Sequence, residues 1–345
     1  MSVHQGETMT TRREVLKGAA AAGAVLGFPA LVPPARAADE IVFTTPQAFD
    51  PAFIDIMNAY SGGHFAKEGL SAKVVGPPGS AASLELVLGG QAQFGYLSSP
   101  DLIRAVAARH APLVAIATIG QRIGFRIVSL PEHPVRTGAD LVGKTIGAIS
   151  VGGLSEDLID ITMIKAGKKP AESKRVVAGN SPGEIELIRQ GRIDCFICNF
   201  PTAFTLERMG EKIVLLDIDK VIPAPGALYY TTRDMVAKKP DMVQRTLKAL
   251  KASVDELIAG PDGPIFQRAA KDFDIPRIKD LDTLVALEEA YAQQIWLAEG
   301  KETLLHNVPS LWASGVAGMR EAGIIDATDP TAFYTNRFVD GLAKS

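Results

Sequence analysis

Two stretches of the chain, 101 positions apart, have nearly the same pattern. The first spans 80–100 and reads SAASLELVLGGQAQFGYLSSP; the second spans 181–201 and reads SPGEIELIRQGRIDCFICNFP. Each predicts a capped helix that begins at a Ser and ends at a Gly, then a short apolar strand, then a polar residue and a Pro that opens another helix. The shared order of elements, more than the five identities, predicts two similar α/β lobes. Two lobes that face each other across a cleft suit the capture of a small molecule.

The first 37 residues have the order of an export signal. Arg12 and Arg13 precede a weakly apolar run over 18–31, and Ala35-Arg36-Ala37 supplies the small residues that a signal peptidase reads. This order predicts twin-arginine export to the periplasm, with cleavage before Ala38. A membrane anchor is the alternative, but the run over 18–31 has only 14 residues, and a membrane-spanning helix needs about 20 apolar ones. A lipoprotein would need a Cys near the cleavage position, and the sequence has none there.

Removal of this segment leaves 308 residues, a length that favours two domains. The net charge is −3 for the whole chain and −5 without the first 37 residues. The sequence has no stripe of basic residues, so it gives no indication of a nucleic-acid partner. Beyond the signal, no apolar run is long enough to cross a membrane.

Strand and helix patterns alternate through most of the chain, which predicts mostly parallel sheets with helices on both faces. We expect one lobe from 38–120 plus 226–345 and a second from 121–225. The chain would cross between them near 119–122 and near 221–227. These two crossings would form a hinge.

The only two cysteines form the motif Cys195-Phe196-Ile197-Cys198. A C-x-x-C motif is compatible with a redox or metal site. On a strand, however, such cysteines point to opposite faces with Cα atoms about 10 Å apart, whereas a disulfide needs about 7 Å or less. We therefore predict two buried thiols in a core strand.

The ends of the predicted strands and the starts of the following helices indicate the ligand site. Helix N-termini carry unpaired N–H groups and partial positive charge, and ligands of open α/β sheets lie beyond the carboxyl ends of strands. The alternative for each of the serines 80, 99 and 181 is that it only caps its own helix. The candidate binding residues are Gln47, Phe49, Ser80, Tyr96, Ser98, Ser99, Gln121, Gly152, Gly153, Leu154, Asn180, Asn199 and Pro201.

Sequence motifs for catalysis are absent, so we predict no catalytic residue, no metal site and no cofactor. The histidines are scattered, and there is no H-E-x-x-H, G-x-S-x-G or P-loop pattern. Glu156 and Asp157 read as first-turn acids that favour the helix dipole. Arg122 or Arg126 could grip a carboxylate or sulfonate, or could form surface salt bridges.

Several of these stretches resemble a known family. GHFAKEGLSAKVV over 63–75, GSAASLELVLGGQAQFGY over 79–96, LVGKTIGAIS over 141–150 and IRQGRIDCFICNFP over 188–201 are similar to the nitrate/sulfonate/taurine-type solute-binding proteins of ABC importers. That family includes binders of thiamine-pyrimidine precursors. The resemblance implies a type II periplasmic binding fold, with two doubly wound lobes joined by a two-crossing hinge. It also implies a monomer that delivers its solute to a membrane permease.

The resemblance places the ligand against the loop after the first strand, the following helix start, the Gly-rich turn of the second lobe and the strand end opposite. Here these are Gln47, Ser80, Gly152-Gly153 and Asn199. The resemblance implies no single solute, because the family spans nitrate, sulfonates, pyrimidines and aromatic acids. The lack of Lys or Arg in the predicted loops favours an organic solute over a small inorganic anion, and Phe49, Tyr96 or Phe200 could stack on a ring.

Two alternatives remain open from the sequence. One branch of the family builds the thiamine pyrimidine and carries a Cys-rich iron-binding motif. That motif is absent here, and export fits such chemistry poorly, so we expect a binding protein and not an enzyme. The other alternative is the ligand-binding subunit of a periplasmic sensor.

Overall fold

Two five-stranded sheets form the centre of the protein. We describe them from a computed structural model, which covers residues 38–150, 153–275 and 278–342. The predicted export signal at 1–37 lies outside the described residues. The strands are β1 (Asp39–Thr44), β2 (Leu70–Val75), β3 (Phe94–Ser98), β4 (Leu113–Thr118), β5 (Phe125–Ser129), β6 (Thr145–Ala148), β7 (Lys174–Val177), β8 (Cys195–Asn199), β9 (Val214–Asp217) and β10 (Ala227–Thr232).

The two sheets have the same topology. The first has the order β2-β1-β3-β10-β4 and the second has the order β7-β6-β8-β5-β9. In each, four strands run in the same direction, and a strand that arrives from the other half of the chain is inserted antiparallel between two of them. The prediction of two similar α/β lobes is confirmed. The prediction of mostly parallel sheets holds for strand direction, since four of the five strands in each sheet run the same way. The sheets are mixed because β5 and β10 enter directly after a crossing and run against both neighbours.

Continuous apolar runs explain why the central strands form. Every residue of β4 is buried, as are the first four of β8. Strands covered by helices on both faces read as such runs instead of alternating. The sequence predicts strands at 41–45, 72–75, 94–96, 113–118, 125–129, 146–149, 175–177, 194–197, 213–216 and 226–232. All ten are present, with ends that differ by no more than two residues.

Helices cover both faces of the sheets. The α-helices are α1 (Ile54–Ser61), α2 (His64–Lys67), α3 (Ser80–Leu88), α4 (Ser99–Arg109), α5 (Leu154–Lys165), α6 (Ile185–Arg189), α7 (Phe200–Arg208), α8 (Ile218–Val221), α9 (Arg233–Lys238), α10 (Pro240–Ala259), α11 (Gly263–Ala269), α12 (Leu281–Tyr291) and α13 (Pro309–Glu321). A short 3-10 turn, Pro51–Phe53, precedes α1, and the π-helical segment Ala292–Trp296 follows α12. Among the described residues, no helix is both long and apolar enough to cross a membrane.

Several helix starts differ from the sequence-based expectation. The sequence after Asp50 predicts one helix that begins at Pro51 and ends at Gly69. That prediction is wrong, because the chain breaks at Gly62 and Gly63, where Gly63 has a φ of 71°. Ser80 does not cap α3; Gly79 occupies the N-cap position and Ser80 is the first helical residue. Ser181 precedes a 3-10 turn and makes no capping hydrogen bond to its backbone. The helix cap predicted in both repeats is therefore missing.

The C-terminal helices hold the two halves together. The apolar stripe of α10, which includes Val243, Leu247, Leu250 and Val254, is fully buried and packs against α1 and α2. Each such side chain contributes about 1.5–3 kcal/mol by its burial. Helix α12 contacts α7, and α13 contacts both α4 and α5. The last third of the chain therefore touches elements of both sheets.

The chain passes between the sheets twice, and the two connections are hydrogen-bonded to each other. One joins β4 to β5 and the other joins β9 to β10. The N–H of Gly226 donates to the carbonyl of Gly120 over 2.7 Å, and Ile119 and Gly120 donate to the carbonyl of Ala227. A Cβ at position 226 would lie 1.9 Å from the carbonyl oxygen of Arg122. Only glycine allows the two segments to approach this closely.

Both cysteines are buried free thiols in β8, as predicted. Cys195 packs with the cluster that includes Ile146 and Leu158, whereas Cys198 packs on the opposite face with Leu206. Burial raises the pKa of each thiol to about 12. These thiols are core side chains.

Candidate functional site

A cavity of about 220 Å³ lies where β1, β3 and β8 end and the two connecting segments meet. A cavity of about 150 Å³ is large enough to hold benzene, so this one has room for a substituted ring. Its walls are Pro46, Gln47, Asp50, Ala52, Phe53, Ser80, Tyr96, Ser98, Pro100, Asp101, Ile123, Gly124, Phe125, Leu154, Asn199, Phe200, Pro201, Gly226, Ala227 and Tyr291. Residues from both sheets and both connections therefore surround one space, beyond the carboxyl ends of parallel strands.

Equivalent positions of the two repeats face this cavity. Ser98 ends β3 and Asn199 ends β8, and each is the N-cap residue of the helix that follows. The Ser98 Oγ accepts from the N–H of Asp101 over 3.3 Å, and the Asn199 Oδ1 accepts from the N–H of Thr202 over 3.2 Å. Both side chains also line the cavity. Helix capping and exposure to the cavity are thus combined in one residue of each half.

Five aromatic side chains line the cavity: Phe53, Tyr96, Phe125, Phe200 and Tyr291. Phe53 and Tyr96 meet edge to face with ring centroids 5.1 Å apart, and Phe200 meets Tyr291 with centroids 5.6 Å apart. Such paired rings present faces and edges on which a planar solute can stack. The arrangement is suited to an aromatic ring.

Asp101 is a second polar feature of the wall. Its Oδ2 accepts from the Ser98 hydroxyl over 2.8 Å and from the Ser80 hydroxyl over 3.3 Å. Asp50, which also lines the cavity, caps the turn before α1 by accepting from the N–H of Ala52 over 3.0 Å. A carboxylate of the protein therefore occupies the position beside Ser80 and Ser98 that a ligand anion would need.

Two buried carboxyl groups lie near the aromatic wall. Asp55 is fully buried and accepts a hydrogen bond from the Tyr229 hydroxyl, and Tyr229 stacks edge to face with Tyr96. Burial raises the pKa of Asp55 to about 6, although the Tyr229 hydrogen bond opposes the rise. Burial, and then the charge of Asp55, raise the pKa of Glu288 well above its usual range. The Oδ1 of Asp55 and the Oε1 of Glu288 have no hydrogen-bond partner among the described residues.

Arginines near the connecting segments are paired within the protein. Arg126 contacts Asp219 at 2.8 Å and Asp217 at 3.0 Å, and Arg122 pairs with Glu299. The sequence left open whether Arg122 and Arg126 contact an anionic ligand or form salt bridges. In the structure both form salt bridges. Asp219 also accepts from the N–H groups at positions 123 and 124, which fixes the start of β5.

The structure brings seven of the predicted binding residues together in the cavity wall: Gln47, Ser80, Tyr96, Ser98, Leu154, Asn199 and Pro201. Gly153 lies at the N-cap position of α5, beside the lining residue Leu154, and does not itself line the cavity. Gly152 lies outside the described residues.

Four other predicted residues lie elsewhere for identifiable reasons. Phe49 turns away and packs on Phe273, with ring centroids 4.7 Å apart. Ser99 is buried and donates its hydroxyl to the carbonyl of Pro225. It faces a separate apolar gap of only about 10 Å³.

The remaining two serve the backbone. The buried amide of Gln121 donates to the carbonyl of Thr303 over 2.9 Å, which ties the first connection to the C-terminal region. The Oδ1 of Asn180 accepts from the N–H of Asn199 over 3.1 Å and so supports that lining residue. Neither lines the cavity.

Sequence reasoning missed several lining residues, among them Asp101, Phe53, Phe125 and Tyr291. Asp101 had a readable signal, because Ser98-Ser99-Pro100-Asp101 fits the Ser-x-x-Asp pattern of a capping box. Tyr291 had none, because it reaches the cavity from the end of α12. Among the described residues, no group of three or more His, Cys, Asp or Glu side chains is placed to hold a metal ion.

The fold is that of periplasmic solute-binding proteins. The protein superposes on the periplasmic aliphatic sulphonate-binding protein SsuA from Escherichia coli with a TM-score of 0.64, 18% identity and coverage of 85% of this chain and 90% of that one. It superposes on the periplasmic nitrate-binding protein NrtA from Synechocystis PCC 6803 with a TM-score of 0.66, 12% identity and 88% coverage of both chains. These likenesses confirm the fold class predicted from the sequence.

The chain belongs to the NMT1/THI5-like family, whose model matches residues 50–263. It is 25% identical over 237 residues to the 4-amino-5-hydroxymethyl-2-methylpyrimidine phosphate synthase THI5 of Saccharomyces cerevisiae, which covers 65% of this chain and 68% of the yeast protein. It is 30% identical over 89 residues to the formylaminopyrimidine-binding protein of Halalkalibacterium halodurans, which covers 26% of this chain and 27% of that protein.

Proposed function

We propose that this protein is the periplasmic solute-binding component of an ABC importer. It captures a small aromatic organic solute in the 220 Å³ cavity and delivers it to a permease in the inner membrane. One observation carries the proposal: five aromatic side chains and two equivalent helix caps, contributed by both halves, converge on one space between the sheets.

Closure of the lobes is the mechanism that this architecture supports. The two connections are short and hydrogen-bonded to each other, so a change in a few backbone angles there would rotate one sheet against the other. We assign one lobe to 38–120 plus 226–345 and the other to 121–225. A solute would then contact Tyr96 and Ser98 on one side and Asn199 and Phe200 on the other.

Export and delivery complete the proposal. Residues 1–37 act as a twin-arginine signal that takes the folded monomer to the periplasm. The names of the relatives support transport, since they include sulphonate-, nitrate- and formylaminopyrimidine-binding proteins. The candidate solutes are sulfonates, aromatic carboxylates and pyrimidines.

The test begins with the protein as purified. Native mass spectrometry should find one small molecule bound per chain, and denaturation should release it. Readdition to the stripped protein should raise the melting temperature, because a ligand at a hundred times its Kd adds about 2.7 kcal/mol to stability. If no molecule co-purifies and broad libraries of these classes never shift the melting temperature, solute binding is refuted.

A matched pair of variants locates the solute. Gln47 is an exposed residue that lines the cavity, whereas Gln91 is exposed on the turn after α3 and is not among the lining residues. We expect Gln47→Ala to weaken solute binding and Gln91→Ala to leave it unchanged. Equal affinities for the two variants would place the solute elsewhere.

A second candidate function is catalysis on a pyrimidine. It is favoured by the match to relatives named as pyrimidine phosphate synthases at 25% identity. Its test is turnover of the co-purified molecule, followed by mass spectrometry over time. Conversion that is lost in Glu156→Gln or in a histidine variant would establish an enzyme, and recovery of the unchanged molecule would favour transport.

A further inference from the structure

The charged side chains of the cavity wall are all acidic among the described lining residues. Among the described residues that line the cavity, two are acidic, Asp50 and Asp101, and none is Lys, Arg or His. A site built for a sulfonate or carboxylate gains most of its affinity from cationic or N–H donors that face the anion. This wall has the opposite sign.

One of the helix starts at the cavity, that of α4, already faces an anion. Asp101 lies in the first turn of α4, and its carboxylate accepts the hydroxyls of Ser80 and Ser98. Because both hydroxyl protons point to Asp101, these serines can offer a solute only lone pairs, and the Ser98 Oγ already uses one to accept from the N–H of Asp101. Lone pairs accept hydrogen bonds, so a solute that donates N–H groups fits and an anion does not.

The nearby cations do not reverse this charge. Arg104, beside Asp101 on α4, pairs with Asp157, and Arg122 and Arg126 are paired as described above. Each guanidinium is matched by at least one carboxylate. The positive charge around the cavity is therefore compensated before a solute arrives.

The unpartnered buried carboxyl oxygens add an independent observation. The Oδ1 of Asp55 and the Oε1 of Glu288 are buried near the Tyr96 wall without a hydrogen-bond donor among the described residues. Leaving such oxygens unpaired is unfavourable, and a positive charge in the adjacent cavity stabilises the ionised form of either group.

We propose that the solute is an aromatic ring that carries a positively charged or N–H-rich group, such as an amidinium, an ammonium or a protonated amino-heterocycle, and that the cavity discriminates against sulfonates and carboxylates. This inference rests on the proposed function and narrows its solute class. The ring stacks between the aromatic pairs, and the cationic group lies toward Asp101 and Asp50.

Four ring compounds of similar shape but different charge provide the test. The full chain, stripped of bound solute, is titrated with benzamidine as its cation, benzamide, benzoate and benzenesulfonate by calorimetry or NMR. We expect the affinity to fall in the order benzamidine, benzamide, then the two anions. The cation should bind about tenfold or more tightly than benzoate, which corresponds to about 1.4 kcal/mol.

Variants then assign the preference to the wall. Asp101→Asn and Asp50→Asn keep the size of the side chain and remove its charge, and each should reduce the ratio of benzamidine to benzoate affinity severalfold. Asp326→Asn is the matched control, because Asp326 is exposed on the loop after α13 and does not line the cavity. Equal reductions in all three variants would overturn the assignment.

The outcomes separate the charge inference from the proposed function. If benzoate or benzenesulfonate binds as tightly as benzamidine or tighter, the cavity binds solutes but the charge inference is wrong. If no probe binds, the sign of the charge in the cavity is tested with a cationic and an anionic nitroxide. The measured quantity is the paramagnetic relaxation that each causes at the amide protons of Gly124 and Gly226 in the cavity wall. Stronger relaxation by the cationic nitroxide supports the inference, and equal or weaker relaxation overturns it.

Discussion

Replacement of Gly226 by alanine would place a methyl carbon 1.9 Å from the carbonyl oxygen of Arg122 and 3.2 Å from the Cα of Ile123. Both are backbone atoms of the other connection, so no side-chain rotation relieves the clash. To reach an ordinary contact of about 3.4 Å, the two connections must separate by more than 1 Å. The hydrogen bond from Gly226 to Gly120, now 2.7 Å, would then break.

The magnitude follows from these contacts. Loss of this hydrogen bond and of those donated to the Ala227 carbonyl costs about 1 kcal/mol each, and the residual crowding costs about 1 kcal/mol more. We expect Gly226→Ala to lower the free energy of unfolding by about 4 kcal/mol and to weaken solute binding, because positions 226 and 227 line the cavity.

The assay is urea denaturation followed by circular dichroism, with Gly183→Ala as the control. Gly183 is exposed, and a Cβ there would make only an ordinary contact at 3.4 Å. The control also measures the stabilisation of about 0.4–1 kcal/mol that alanine gives by restricting the unfolded chain. If Gly226→Ala is as stable as the control, the close approach of the two connections does not exist.

Three further predictions follow from buried polar groups. Because burial raises the pKa of Asp55 from 3.8 to about 6, its contribution to stability is present below pH 4 and is lost as the pH rises through 6. The difference in unfolding free energy between the wild type and Asp55→Asn should therefore fall by about 2 kcal/mol between pH 4 and pH 7 in urea titrations, and a flat difference would contradict the burial. Cys195 and Cys198, whose pKa burial raises to about 12, should not react with a disulfide reagent at pH 8 until the chain unfolds, and rapid labelling of the native protein would refute their core position. Asp219→Ala should lower the thermal unfolding free energy by about 3–5 kcal/mol because it leaves Arg126 buried without its closest partner, and a loss under about 1 kcal/mol would show that Asp217 compensates.

Much of the fold was predictable because its signals are local. Strand β4 is an uninterrupted apolar run, and the repeat aligns the end of β3 with the end of β8. That alignment identified Ser98 and Asn199, which the structure places in one cavity wall. A strand end, a helix cap and a position relative to the cleft are all set within a few residues of sequence.

The remaining features depend on contacts between distant segments. Whether Phe49 or Phe53 faces the cavity depends on the rotation of one 3-10 turn and on the position of Phe273. Ser80 donates to a carboxylate 21 residues away instead of capping its helix. Tyr291 reaches the wall from the end of α12. Local patterns contain none of this information.

The central claim is that both halves of the chain clasp one solute, and hydrogen–deuterium exchange tests it most directly. The protein as purified is compared with the same protein stripped of its solute. The account predicts that the solute protects amides in both halves: those at 96–101 and 226–227 on one side of the cavity, and those at 123–126 and 199–202 on the other. Protection confined to one half, or located away from these segments, would contradict it.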